Sequence, residues 1–323
     1  MSQSNYARPV VVISRCIDFD ACRYNGQVIR ASLREELQPH MELRPICPEL
    51  EIGLGVPRDP VRLVRSEDGP RMVQPKTGRD LTRSMERFSR RFLSGAGDAD
   101  GFILKSRSPS CGVRNAKLFH SEAEGAGHSN GPGLFTGRVL ERFPYAAVED
   151  EGRLNDLRLR DHFLTKLWAL AGLRKVAGDG PGALVAYHAR NKLLLMAHNQ
   201  TRMRALGRLV AQAGTSPRPQ MVDEYRAGLG AALARPARAG SNVNVLMHAL
   251  GHVSEHLSER EREHFLATVE SYRQGKVALS AANSIVGAWA ARFEVPYLAE
   301  QTFFAPYPTE LVRLERPRRR RAA

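Results

Sequence analysis

The chain has 323 residues, 42% of them hydrophobic and 25% charged, with a formal net charge of +14. That is an ordinary globular composition with room for two domains of roughly 150 residues each. No run approaches the roughly 18 consecutive apolar residues of a membrane span, and no apolar stretch precedes a small-residue cleavage site near the first residue, so a soluble cytoplasmic protein is expected.

Residues 10–13 are four β-branched residues in a row, the pattern of a buried strand. Cys16 follows it closely, and Cys22 comes six residues later. Residues 28–37 predict a helix, residues 41–46 a second strand, and Cys47 follows that strand directly. A polar segment with apolar spacing over residues 80–92 predicts a helix stopped at Gly95. Residues 101–105 predict a third strand, leading into the loop Ser106-Arg107-Ser108-Pro109-Ser110-Cys111-Gly112. The Gly, Ser and His content of residues 124–133 reads as a loop.

Alternating strands and helices predict an α/β N-terminal domain, residues 1–152, with a mostly parallel, Rossmann-like sheet. Sites in such sheets gather at the carboxyl ends of strands. Beyond residue 153, apolar residues recur at three- and four-residue spacing over 160–173, 182–213, 220–234, 242–257, 258–274 and 279–293. This predicts an all-α C-terminal domain, residues 153–316, followed by a basic tail, residues 317–323.

The charge is unevenly shared. Residues 1–150 hold 22 Lys+Arg against 19 Asp+Glu, and residues 151–323 hold 26 against 15, so +11 of the +14 lies in the second part. An arginine-rich surface favours polyanions, although a solvated basic face remains the simpler alternative.

All four cysteines lie between residues 16 and 111, and a reducing compartment disfavours disulfides. Cys16, Cys47 and Cys111 each follow an expected strand end and so share an address, although 31 and 64 residues separate them. The paired C-x-x-C spacing of a structural zinc site is absent. Three thiolates on a cubane cluster would leave one iron with an open position, but inert core cysteines fit the spacing too. Cys22 reads either as a fourth ligand or as a small, partly buried residue.

Four segments resemble the thiouracil desulfidase (TudS) family: residues 12–16 with Cys22-Arg23-Tyr24-Asn25-Gly26; Pro45-Ile46-Cys47-Pro48-Glu49 with residues 53–58; residues 77–82; and residues 101–105 with Ser108-Pro109-Ser110-Cys111-Gly112. The resemblance implies a 4Fe-4S cluster on Cys16, Cys47 and Cys111, acid–base roles for Glu49 and Ser108, and replacement of a pyrimidine's thiocarbonyl sulfur by oxygen from water. It departs after the first cysteine, where Ile17-Asp18-Phe19-Asp20-Ala21 stands in place of a short glycine-containing turn. Arg23, Arg58 and Lys105 are candidates for contacts to a substrate's base or phosphate, or are ordinary surface charges.

Residues 156–316 resemble the YbgA-type helical domain, through residues 192–198, 206–210, 244–251, 272–275, 297–301 and 306–308. His248, His252 and His256 would share one helix face, but without an H-E-x-x-H pattern, packing or nucleic-acid contact is expected over a metal. The fusion of the two domains resembles the tRNA 4-thiouridine desulfidases. That implies tRNA as partner, with Arg202, Arg204, Arg208 and the tail from Arg316 as candidate contacts. A small-molecule thiouracil desulfidase and a nucleic-acid-binding iron–sulfur redox sensor are the alternatives.

Overall fold

The structure is a computed structural model that describes residues 6–212 and 219–313; the basic tail, including Arg316, lies outside the described residues. The described chain forms two compact units. One comprises residues 8–163 with 310–313, the other residues 164–309 with 6–7, and the division falls inside the helix Leu157–Val176.

In the first unit, β1 (Val10–Ser14) is buried at every position, as its β-branched run requires. After α1 (Leu33–Leu37) come β2 (Glu42–Ile46) and the short α2 (Pro48–Glu51). A hairpin of β3 (Arg62–Ser66) and β4 (Gly69–Gln74), the two-residue β5 (Arg79–Asp80) and α3 (Thr82–Gly95) follow. Then come β6 (Gly101–Leu104), β7 (Ala116–Phe119), β8 (His128–Gly131), α4 (Leu134–Arg142) and β9 (Ala147–Asp150).

The expected parallel sheet has the order β2-β1-β6-β9, with every neighbouring pair parallel. The chain leaves β1 for β2 on one side and later crosses to β6 on the other. This reversal opens a crevice at the carboxyl ends of β1 and β6. Met85, Phe88 and Leu93 of α3, with Leu134, Phe135 and Val139 of α4, join Val12, Phe102 and Leu104 of the sheet in one core.

A second sheet of order β5-β4-β3-β7-β8 is mixed, with β3 and β7 parallel and its other pairs antiparallel. It includes β8, formed inside the glycine-rich stretch expected to be a loop. That strand is held by antiparallel pairing of residues 128–131 with β7 rather than by its own side chains.

The second unit is helical. Its elements are α5 (Leu157–Val176, from residue 164), α6 (Pro181–Arg190), α7 (Lys192–Ala211), α8 (Pro219–Ala232), α9 (Ala239–Gly251), α10 (Glu259–Arg273), α11 (Leu279–Arg292) and α12 (Pro296–Ala299). A single expected helix over 182–213 is broken at Asn191 and again at Asn199, whose φ of −160° and ψ of 95° are extended. The Asn199 side chain caps the new start, accepting from the Arg202 N–H at 3.0 Å. Ser258 and Glu261 form a reciprocal capping box that starts α10.

The expected helix over 242–257 ends at Gly251, and His256 lies in a separate 3-10 turn. The three histidines therefore do not share one helical face. His252 lies 4.6 Å from the Tyr297 ring and His256 5.1 Å from the Phe293 ring, centroid to centroid. Among the described residues no helix is long and apolar enough to cross a membrane.

Candidate active site

The crevice at the carboxyl end of the parallel sheet deepens into a cavity of about 930 Å³. Cys16 enters it from the turn after β1, Cys47 from the residue after β2, and Cys111 from the loop after β6. Cys22 lines it as well, and all four cysteines are buried free thiols. Cys47 Sγ lies 3.9 Å from the Cys22 carbonyl oxygen.

The environment holds thiols in the protonated form. Contact with Cys16, reinforced by burial, raises Cys22 to about 11 against an opposing bond from Cys47. Contact with Cys22 and burial push Cys47 well up. Burial lifts Cys111 to about 12 against hydrogen bonds from Ser14 and Ser108. Metal loading here would displace protons, as it does wherever thiolates must form in order to bind.

The loop bearing Cys111 is fixed from three directions. Ser108 Oγ accepts from the Ser110 and Cys111 N–H groups at 3.2 and 3.1 Å. The start of α4 donates to the loop's carbonyls: Gly133 N to Gly112 O, Leu134 N to Pro109 O, and Thr136 N to Ser110 O. A Cβ on Gly112 would stand 2.8 Å from Ser108 O, and one on Gly133 would collide with the Ser110 carbonyl. Glycine at both positions is thus a packing requirement.

The third constraint is Glu49, which joins two thiol-bearing segments. Its Oε1 accepts from Ser110 Oγ at 2.8 Å, while its Oε2 accepts from Arg58 Nε and Nη2 at 2.8 and 2.6 Å. Arg58 Nη1 also donates to the Cys22 and Gly55 carbonyls, each at 3.1 Å. Every nitrogen of the Arg58 guanidinium therefore has a protein acceptor. Lys105 is similarly engaged, its Nζ 2.7 Å from Glu151 and 2.6 Å from the Ser106 carbonyl oxygen.

All the site residues singled out in the sequence line this one cavity: Cys16, Cys47, Cys111, Glu49, Ser108, Arg23, Arg58 and Lys105. The structure adds Arg107, Lys117 and Asp150. Arg107 and Lys117 are exposed at the edge with no carboxylate partner among the described residues. Arg23 donates only to Gln27, at 3.1 Å, and its guanidinium lies over the exposed Tyr24 ring. The cavity edge is thus cationic, while Arg58 and Lys105 behind it are neutralised.

Arg107 had a usable signal, since it stands beside Ser108 in the cysteine loop. Asp150 was hidden because β9 is only four residues long and ends in consecutive acidic residues.

The donor set favours a cluster over a lone ion. Among the described residues no three Cys, His, Asp or Glu side chains close on one point tightly enough to hold a single metal. A cubane spaces its thiolates more widely than one ion does, and soft sulfur donors suit iron–sulfur chemistry.

In the helical unit, Arg202, Arg204 and Arg208 are all exposed along the second segment of α7. Met203, Leu206 and Val210 on its other side are buried.

Comparison with known proteins agrees with this division. Residues 11–151 match the family described as 2-thiouracil desulfurase, and residues 192–308 match a family described as a protein of unknown function, DUF1722. The chain is 32% identical over 158 residues to the uncharacterized protein YbgA of Escherichia coli (strain K12), covering 48% of this chain and 94% of that one. It is 27% identical over 158 residues to the uncharacterized protein YbbK of Bacillus subtilis (strain 168), covering 46% of this chain and 99% of the relative. A solved structure titled as the [4Fe-4S]-dependent thiouracil desulfidase TudS aligns at 27% identity and a TM-score of 0.38, over 47% of this chain and 97% of that chain.

Proposed function

The chain belongs to the YbgA family and carries a TudS-like domain ahead of its helical part, and on that premise we propose that it is a tRNA 4-thiouridine desulfidase. The observation that carries the reading is the convergence of Cys16, Cys47 and Cys111 from three strand ends into one cavity. A 4Fe-4S cluster held by these three thiolates supplies an iron with an open position, a Lewis acid with affinity for sulfur. The overall reaction exchanges the thiocarbonyl sulfur for the oxygen of water and releases sulfide.

The protein's own groups prepare this reaction. Glu49 and Arg58 hold the Cys47 and Cys111 segments together, and Glu49 keeps a carboxylate at the cavity wall for proton transfer as water adds. Ser108 fixes the Cys111 loop through its oxygen and still has a hydroxyl proton to give. Tyr24, 44% exposed at the cavity, offers a ring face on which a base can stack.

Arg23, Arg107 and Lys117 favour a nucleotide in RNA over a free base, because a neutral pyrimidine has no charge for them to meet. The exposed arginines of α7 fit the same class of substrate. The test is turnover of thiolated tRNA and of free 4-thiouracil by anaerobically prepared protein. Uridine formation in the tRNA supports the proposal; turnover of the free base alone removes the tRNA assignment. Loss of sulfur from neither favours a redox sensor.

A further inference from the structure

Three consecutive acidic residues end the parallel sheet, and two of them are matched by cations. Glu149 Oε1 accepts from Arg153 Nε at 2.8 Å, and Glu151 accepts from Lys105 Nζ at 2.7 Å and from the Ser106 N–H at 2.8 Å. Asp150 between them is different. It is 1% exposed, lines the thiol cavity and sits beside Leu104 in the β6–β9 pairing. Its Oδ1 accepts from the Arg153 N–H at 2.9 Å, whereas its Oδ2 is buried with no hydrogen-bond partner among the described residues.

A buried carboxylate oxygen without a donor is costly, and a ligand that brings a donor removes that cost. The site is in a pocket that accepts a base, and a thiolated uracil ring carries one strong donor, the N3–H beside the thiocarbonyl carbon. We propose that Asp150 reads the pyrimidine, its Oδ2 accepting the N3–H of a uracil-type ring bound in the thiol cavity. This rests on the function proposed above for the choice of ring, and it assigns a specificity-determining residue that the sequence reading did not single out.

Two further features agree. Burial raises the Asp150 carboxyl above its ordinary value, opposed by the Arg153 N–H and reinforced by Glu151 and Glu149, which makes it a stronger acceptor than an exposed carboxylate. The bond to Arg153 also fixes which oxygen is left for the ligand. In Asp150→Asn the oxygen must stay on the Arg153 N–H, so the amide nitrogen takes the place of Oδ2. An acceptor becomes a donor without a change of shape. A donor there repels the N3–H of uracil and matches the bare N3 of cytosine.

The experiment measures equilibrium binding of inert ligands to the anaerobically prepared holoprotein: uridine 5′-monophosphate, its N3-methyl derivative and cytidine 5′-monophosphate. The unaltered protein should bind the first on the order of tenfold or more tighter than the other two, the loss expected when a buried acceptor goes unpaired. Asp150→Asn should reverse the order of uridine and cytidine nucleotides. Equal binding of all three by the unaltered protein, binding of none, or an unchanged preference in Asp150→Asn overturns the inference. The N3-methyl comparison needs no variant, so misfolding of Asp150→Asn cannot decide the matter. None of these readouts uses desulfidation, so a protein that releases no sulfide but shows the preference and its reversal would sink the proposed activity and leave this inference standing.

Discussion

Glu49 is a carboxylate with two demands on it. Both oxygens already accept hydrogen bonds, which suits a strut, yet it borders the cavity, which suits proton transfer. Its pair with Arg58 is buried, the side chains being 12% and 6% exposed. Removing one member leaves the other charge uncompensated, so Glu49→Gln should destabilise the protein by about 3–5 kcal/mol in urea unfolding. If the carboxylate also moves protons, its turnover should fall further than its iron content does. Single Cys16→Ser, Cys47→Ser and Cys111→Ser variants should each lose iron and visible absorption, while Cys22→Ser should keep both; iron and labile-sulfide assays check this. The sequence marked the thiols, Glu49 and Ser108 because they sit in compact motifs next to strand ends. It could not show that Arg58 and Lys105 are internally neutralised, because their partners are fixed by folding, as Glu151 is, 46 residues from Lys105.

At the scale of elements, the site depends on how α4 meets the Cys111 loop. Three N–H groups at the start of that helix hold three of the loop's carbonyls, and Gly133 lets the backbones touch. Gly133→Ala must push the loop away, and a loss of about 1–3 kcal/mol is expected from the overpacking. Because the loop carries a ligand, the same variant should also load less iron, measured against Gly137→Ala, whose Cβ meets nothing within 4 Å. The parallel strands were readable because burial on both faces demands continuous apolar runs such as residues 10–13. The second sheet was not. Its strands are short and polar, and β8 exists through pairing with β7, a non-local cause that local composition does not carry. The helices were legible from their spacing, but the break at Asn199 was not, since it depends on a capping side chain in the middle of an otherwise helical run.

At the scale of the whole molecule, the two parts divide chemistry from charge. Most of the net charge lies beyond residue 150, and the helical unit shows exposed arginines without offering a reactive cluster of its own among the described residues. tRNA affinity should therefore fall steeply with salt, by about a thousandfold between about 50 and about 200 mM if roughly six phosphates are neutralised, as filter binding would show. Turnover of a free thiolated base should change little over the same range. The most direct test of the central claim is the sulfide released by anaerobically prepared protein acting on thiolated tRNA, measured together with the uridine formed. The account predicts equal amounts of the two from the unaltered protein and neither from Cys111→Ser. Undiminished release from Cys111→Ser, or none from unaltered protein with its iron in place, would contradict it.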